Sequence, residues 1–116
     1  MLEFEDLDNQ KYIIIKITPE RLSERNGSIY ETVRKYWRIK IDRANDCPYV
    51  IGVLNGVVCC VYEVDKWFRT ENEQYRGRCE FFGHEACDEL KHHFMGKMLP
   101  EKYKKRGMAN PIIYHD

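Results

Sequence analysis

Residues 49–64 read YVIGVLNGVVCCVYEV, and this stretch decides the fold. Two apolar, β-branched runs, Tyr49–Leu54 and Val57–Val64, flank Asn55-Gly56. An Asn-Gly pair supplies the two positive-φ residues of a type I′ turn, whose twist matches that of the strands it joins. A β-hairpin is therefore expected here. Both runs are apolar over most of their length, which places them inside a sheet rather than at its solvated edge.

Outward from the hairpin, residues 11–17 (KYIIIKI) read as a buried strand. Thr18-Pro19 is an N-cap followed by proline at the first helical position, opening a short helix that runs to Arg25 and closes at Asn26-Gly27. Ser28 and Glu31 form a capping-box pattern, and Ile29, Val33 and Trp37 recur at helical spacing, predicting a helix over 29–36. Residues 37–40 alternate as a short strand, and 41–47 read as a turn or a single helical turn. Beyond the hairpin, 69–77 is a polar loop and 78–83 a strand. Residues 86–95 form a helix with Ala86, Leu90 and Phe94 on one face, and a final strand covers 111–114. The prediction is one α+β domain over residues 1–116, a small mixed β-barrel of five to six strands with two to three short helices.

The 116 residues carry 19 Lys plus Arg against 19 Asp plus Glu, with 43% hydrophobic content. That composition excludes a disordered chain and a uniformly basic one held to a polyanion by net charge. No apolar run approaches the ~20 residues of a membrane span, and MLEFEDLDNQ lacks the features of a signal peptide. The five cysteines are Cys47, Cys59, Cys60, Cys79 and Cys87. They form no C-x-x-C pair, so reduced thiols and a cytoplasmic location are expected. Adjacent Cys59 and Cys60, in a strand, should point to opposite faces.

Charge is nonetheless uneven. Arg34, Lys35, Arg38, Lys40 and Arg43 oppose Asp42 alone over residues 34–43, and Lys102, Lys104, Lys105 and Arg106 cluster near the end. Each cluster reads either as an ordinary solvated face or as a phosphate-holding patch. Trp37 and Trp67, the two tryptophans, stand at strand ends beside basic residues, where a base could stack; both also suit a core. Tyr36 has a ring and a hydroxyl that fit either role, and Asn110 reads as a base-edge reader or as a tie for its own loop. His84, Cys87, His92 and His93 are zinc-type ligands placed on one helix, but their spacing completes no tetrahedron. Glu63 and Asp65 are paired carboxylates with no base placed near them. Nucleophile-elbow, Walker and dinucleotide motifs do not occur. No cofactor, metal or catalytic residue is called for.

The pattern Thr32-Val33-Arg34-x-Tyr36-Trp37-Arg38-Ile39, then Tyr49-Val50-Ile51-Gly52-Val53 with Gly56 and Val61-Tyr62-Glu63-Val64-x-x-Trp67-Phe68, resembles the PUA-like superfamily. The likeness continues through Arg78-x-Glu80-Phe81-x-Gly83 and Asn110-Pro111-Ile112-Ile113-Tyr114, spanning residues 28–116. This superfamily holds the PUA, ASCH, EVE and YTH β-barrel modules, and the nearest look-alikes are short microbial and phage-type proteins. The resemblance implies a barrel that binds RNA or DNA, in some branches through an aromatic cage for a modified base. The expectation is a non-enzymatic nucleic-acid or nucleotide-binding module. Trp37, Trp67 and Tyr36 would stack, Arg34, Lys35, Arg38, Lys102, Lys104, Lys105 and Arg106 would hold phosphates, and Asn110 would read an edge. Two alternatives stand beside it: a protein-interaction module that blocks a host factor, and a small ASCH-like nuclease using Glu63.

Overall fold

The computed structural model of the chain describes residues 1–104 and 110–116. In chain order its elements are β1 (Tyr12–Ile17), α1 (Pro19–Glu24), α2 (Ile29–Val33), α3 (Ile41–Asn45), β2 (Tyr49–Leu54), β3 (Val57–Arg69), β4 (Cys79–Glu85), α4 (Asp88–Phe94) and β5 (Ile112–His115). Short 3-10 turns cover Glu73–Tyr75 and Glu101–Tyr103. The protein is a mixed α+β fold built on one five-stranded sheet in the order β4-β3-β2-β1-β5. Strands β1 and β2 run parallel, with the three helices α1–α3 forming the crossover, and the other pairs are antiparallel. Among the described residues no helix is long and apolar enough to cross a membrane.

The hairpin forms as expected: Asn55 and Gly56 take φ of 52° and 81° between β2 and β3. Alternation then sorts the side chains into two cores. One face carries Ile13, Ile15, Val50, Cys60, Tyr62 and Ile112 against Val33, Trp37 and Ala44 of the crossover. The other carries Tyr12, Ile14, Ile51, Val61 and Ile113 against Phe4, Phe94 and Tyr103. The α4 stripe of Ala86, Leu90 and Phe94 packs on this second face as its spacing requires.

Four features differ from the sequence reading. First, the sheet is open rather than a closed barrel: among the described residues no ladder joins β4 to β5. The gap between them is spanned by residues 34–43. Trp37 and Cys79 exchange backbone hydrogen bonds of 2.9 and 2.8 Å, and the Phe81 amide donates to the Arg34 carbonyl at 3.0 Å. At the other end the Lys40 amide donates to the Tyr114 hydroxyl, and Arg43 grips Asp116. Second, this pairing ends α2 at Val33, before the predicted 36, because the next residues bond to β4 instead of continuing the helix. Residues 37–40 form a single bridge rather than a strand. Third, β3 continues to Arg69 through a bulge between Val64 and Lys66, and α3 is a fourth α-helix. Fourth, Cys59 and Cys60 share a face, because the register slips between Gly52 and Val53.

Both N-cap side chains bond as expected, but the capping box at Ser28 is only half made: the Ser28 amide donates to the Arg25 carbonyl rather than to Glu31. Thr18 Oγ1 accepts from the Arg21 amide and Ser28 Oγ from the Glu31 amide, both at 3.2 Å. The carboxylate of Glu31 is bound by Lys35 at 2.9 Å and by Arg34 at 3.1 Å. The ammonium of Lys35 thereby holds its pKa below the ordinary value, against the effect of burial.

Candidate nucleic-acid interface

Where residues 36–38 pass between the two sheet edges they wall a cavity of about 270 Å³. Tyr36, Trp37 and Arg38 line one side. Arg21 comes from α1, Arg78 from the turn before β4, and Asn110 from the bend before β5. A second, shallower hollow of about 400 Å³ adjoins it, shares Arg38 and Asn110, and adds Lys40, Arg43 and Tyr114. Of the expected site residues, the structure brings Trp37, Tyr36, Arg38 and Asn110 to one hollow.

The electrostatics are one-sided. Among the described residues no carboxylate lines either hollow. Among the described residues the guanidiniums of Arg21, Arg38 and Arg78 make no ion pair. Arg43 is neutralised by Asp116, which accepts from its Nε and Nη2 at 2.5 and 2.8 Å. Three uncompensated cations facing one recess make a local field that favours an anion.

The aromatic wall is held from behind. Trp37 donates its indole N–H to the Val33 carbonyl at 2.7 Å and is 5% exposed. Tyr36 stacks on Tyr75 with centroids 4.1 Å apart, and its hydroxyl accepts from the Asn72 amide group at 3.3 Å. The Arg21 guanidinium stands 5.8 Å over the Trp37 ring, and Arg25 stands 5.2 Å over Tyr36. A base stacking on the indole would share that face with Arg21. Asn110 spends its carbonyl oxygen on the Ile112 amide at 2.9 Å, tying its own loop.

The remaining expected site residues lie elsewhere. Trp67 is not at a rim: it is 2% exposed, packs on Phe81 at 4.9 Å in the first core, and has no polar partner for its indole nitrogen among the described residues. Arg34 is buried and fully engaged, donating to the Phe81 carbonyl, Glu31 and Glu80. Lys35 is ion-paired with Glu31. Lys102 belongs to the second face, where it pairs with Asp6. Lys104 is exposed and lines neither hollow. Lys105 and Arg106 lie outside the described residues.

The zinc-type ligands do not share a helix. His84 is in β4, Cys87 is the residue that precedes α4, and His93 bonds the Glu5 carbonyl at 2.6 Å. Strand pairing does bring His84 against Glu63 and Asp65, at 3.8 and 3.5 Å. Among the described residues, however, no group of three or more His, Cys, Asp or Glu side chains is arranged to hold a metal ion.

Arg21 and Arg78 are the site residues that the sequence did not single out. Arg21 sits on a helix with no buried residue, and an amphipathic count assigns such a helix to solvent. Its signal was the want of any apolar face, which leaves its basic residues free for a ligand. Comparison with protein-family models, characterised proteins and solved structures finds no match to this chain.

Proposed function

We propose that the chain is a non-enzymatic nucleic-acid or nucleotide-binding module of PUA-like type, with residues 34–43 completing a barrel-like enclosure between the edge strands. One observation carries the reading: a recess walled by Tyr36 and Trp37 and faced by Arg21, Arg38 and Arg78, with no carboxylate in its lining among the described residues. Its volume of about 270 Å³ is near the low end of ligand cavities, about 300–1,000 Å³. That suits one nucleotide unit of a single strand rather than a duplex. Binding rests on phosphate contacts first. The rings are too enclosed to give a full stacking platform, so they contribute shape and partial contact.

Fluorescence anisotropy with labelled single-stranded DNA and RNA oligomers tests this. Affinity should fall steeply with salt as phosphate neutralisation releases counterions. Arg38→Gln and Arg78→Gln should each weaken binding to all sequences and lower the salt slope by about 0.7. Absence of binding to any oligomer or mononucleotide at low salt overturns the reading, as does binding indifferent to both substitutions.

A protein-interaction role has its own support in Phe82, which is 54% exposed beside Phe68 on the outer side of β3 and β4. Stoichiometric co-purification of a partner that Phe82→Asp releases, with no oligonucleotide binding, would favour that second reading.

A further inference from the structure

Cys59 and Cys60 are a second constellation, separate from the basic recess. Neighbours in a regular strand project to opposite sides. Here Gly52 pairs with Cys60 and Val53 with Val58, which makes Cys59 the extra residue of a β-bulge. The two sulfurs are brought to 4.0 Å on one face. The Gly52 carbonyl lies 3.6 Å from Cys59 Sγ, and a Cβ on residue 52 would stand 2.3 Å from Cys60 Sγ. Glycine is what leaves room for two sulfurs at this spot. Cys60 is buried while Cys59 is half-buried, so approach is from the Cys59 side.

A direct disulfide is disfavoured between these neighbours. Adjacent Cα atoms are about 3.8 Å apart, short of the roughly 4.4–6.8 Å that disulfides span. A single larger atom bonded to both sulfurs closes a less constrained ring. We propose that Cys59 and Cys60 form a dithiol binding site for trivalent thiophiles of the organoarsenical class. For an arsine oxide, two As–S bonds form and two S–H bonds break. The oxide oxygen leaves as water with both protons, and arsenic stays trivalent throughout. Hydrogen bonding to Cys60 holds the Cys59 thiol below its ordinary range, which makes it the first nucleophile. The same bond, with burial, pushes Cys60 up, so its proton leaves second. Cys47 and Cys79 are buried, and Cys87 is exposed but lies outside the pair.

The test is one equivalent of phenylarsine oxide added to the folded chain, read by intact mass. The expected result is one adduct, gained with loss of one water, reversed by a small dithiol and not by a monothiol. Cys87→Ser should keep it, and Cys59→Ser, checked for native circular dichroism, should lose it. Fragment-ion mapping of the wild-type adduct gives a second reading that needs no variant, and should place arsenic on residues 59 and 60. An adduct that survives Cys59→Ser, maps to another cysteine, or forms only in denaturant overturns the proposal.

Discussion

Arg34 and Glu80 form a 2.6 Å ion pair whose side chains are 7% and 13% exposed. The same guanidinium donates from Nε to the Phe81 carbonyl at 3.0 Å and lies 4.9 Å over the Phe82 ring. It fastens the end of α2 to the outer edge of β4. Removing one partner of such a buried pair leaves the other desolvated and uncompensated, at a cost of about 3–5 kcal/mol. Arg34→Ala should lower unfolding free energy by about that amount in urea titration, while the folded fraction keeps its oligonucleotide salt slope. A changed slope would return Arg34 to the phosphate-binding set.

Acid sensitivity should centre on Asp6. Burial alone would raise its pKa, but the Lys102 ammonium and the hydroxyls of Tyr12 and Tyr103 bond the carboxylate and together lower it. A carboxyl depressed in the native state stabilises above its unfolded value, about 3.9, and loses that contribution as pH falls through the folded value. Asp6→Asn should therefore melt well below wild type at pH 7, with the gap narrowing between about pH 5 and 2. Glu31 and Asp116, also depressed, add to the same wild-type slope. A melting-temperature gap that is constant across this range would show that Asp6 acts by shape alone.

The contact between Gly52 and Cys60 predicts a coupled pair. Gly52→Ala places a methyl 2.3 Å from Cys60 Sγ and 3.1 Å from Val33 Cγ2. Overpacking of this kind costs about 1–3 kcal/mol. Cys60→Ala removes the sulfur, so the double variant should be more stable than the sum of single effects predicts, by about 0.5–3 kcal/mol. Additivity in denaturant titration would refute the clash.

The two tryptophans should separate cleanly. Trp67→Ala opens a hole in the first core and should destabilise by about 3–5 kcal/mol, without altering affinity per folded molecule. Trp37→Leu should weaken oligonucleotide binding, since it reshapes the recess and removes the ring beneath Arg21. Equal effects of both changes on affinity, measured by anisotropy at matched folded fraction, would contradict the assignment of the recess.

What was legible follows from range. The Asn55-Gly56 hairpin, the Thr18 and Ser28 hydroxyl caps and the α4 stripe are set by residues within one turn or one strand of each other, and they form as read. Glu31 is drawn away from its box by Lys35 and Arg34, and the larger failures are long-range. The end of α2 depends on Arg34 and Trp37 meeting β4, more than forty residues away in sequence. Cys59 changes face because one strand slips against the other, and a polar Asp65-Lys66 hides the continuation of β3 through its second bulge. For the recess, the local basic run pointed to Arg38 but also to Arg34 and Lys35, which internal carboxylates claim. Arg21 reaches it only through the crossover that carries α1 over the sheet, and Arg78 only through the turn that leads into β4.

The reciprocal main-chain bonds of Trp37 and Cys79 have a thermodynamic corollary. They fix the backbone of residue 37 as an extra rung of the sheet, and the Val33 carbonyl holds the indole above it, so neither would need to be frozen on capture of a guest. On the proposed reading, an occupant of the recess would lose mainly its own freedom and the mobility of three arginine side chains. Discrimination would then depend on fit to a rigid wall, and the arginines would set how fast charged molecules are drawn to it.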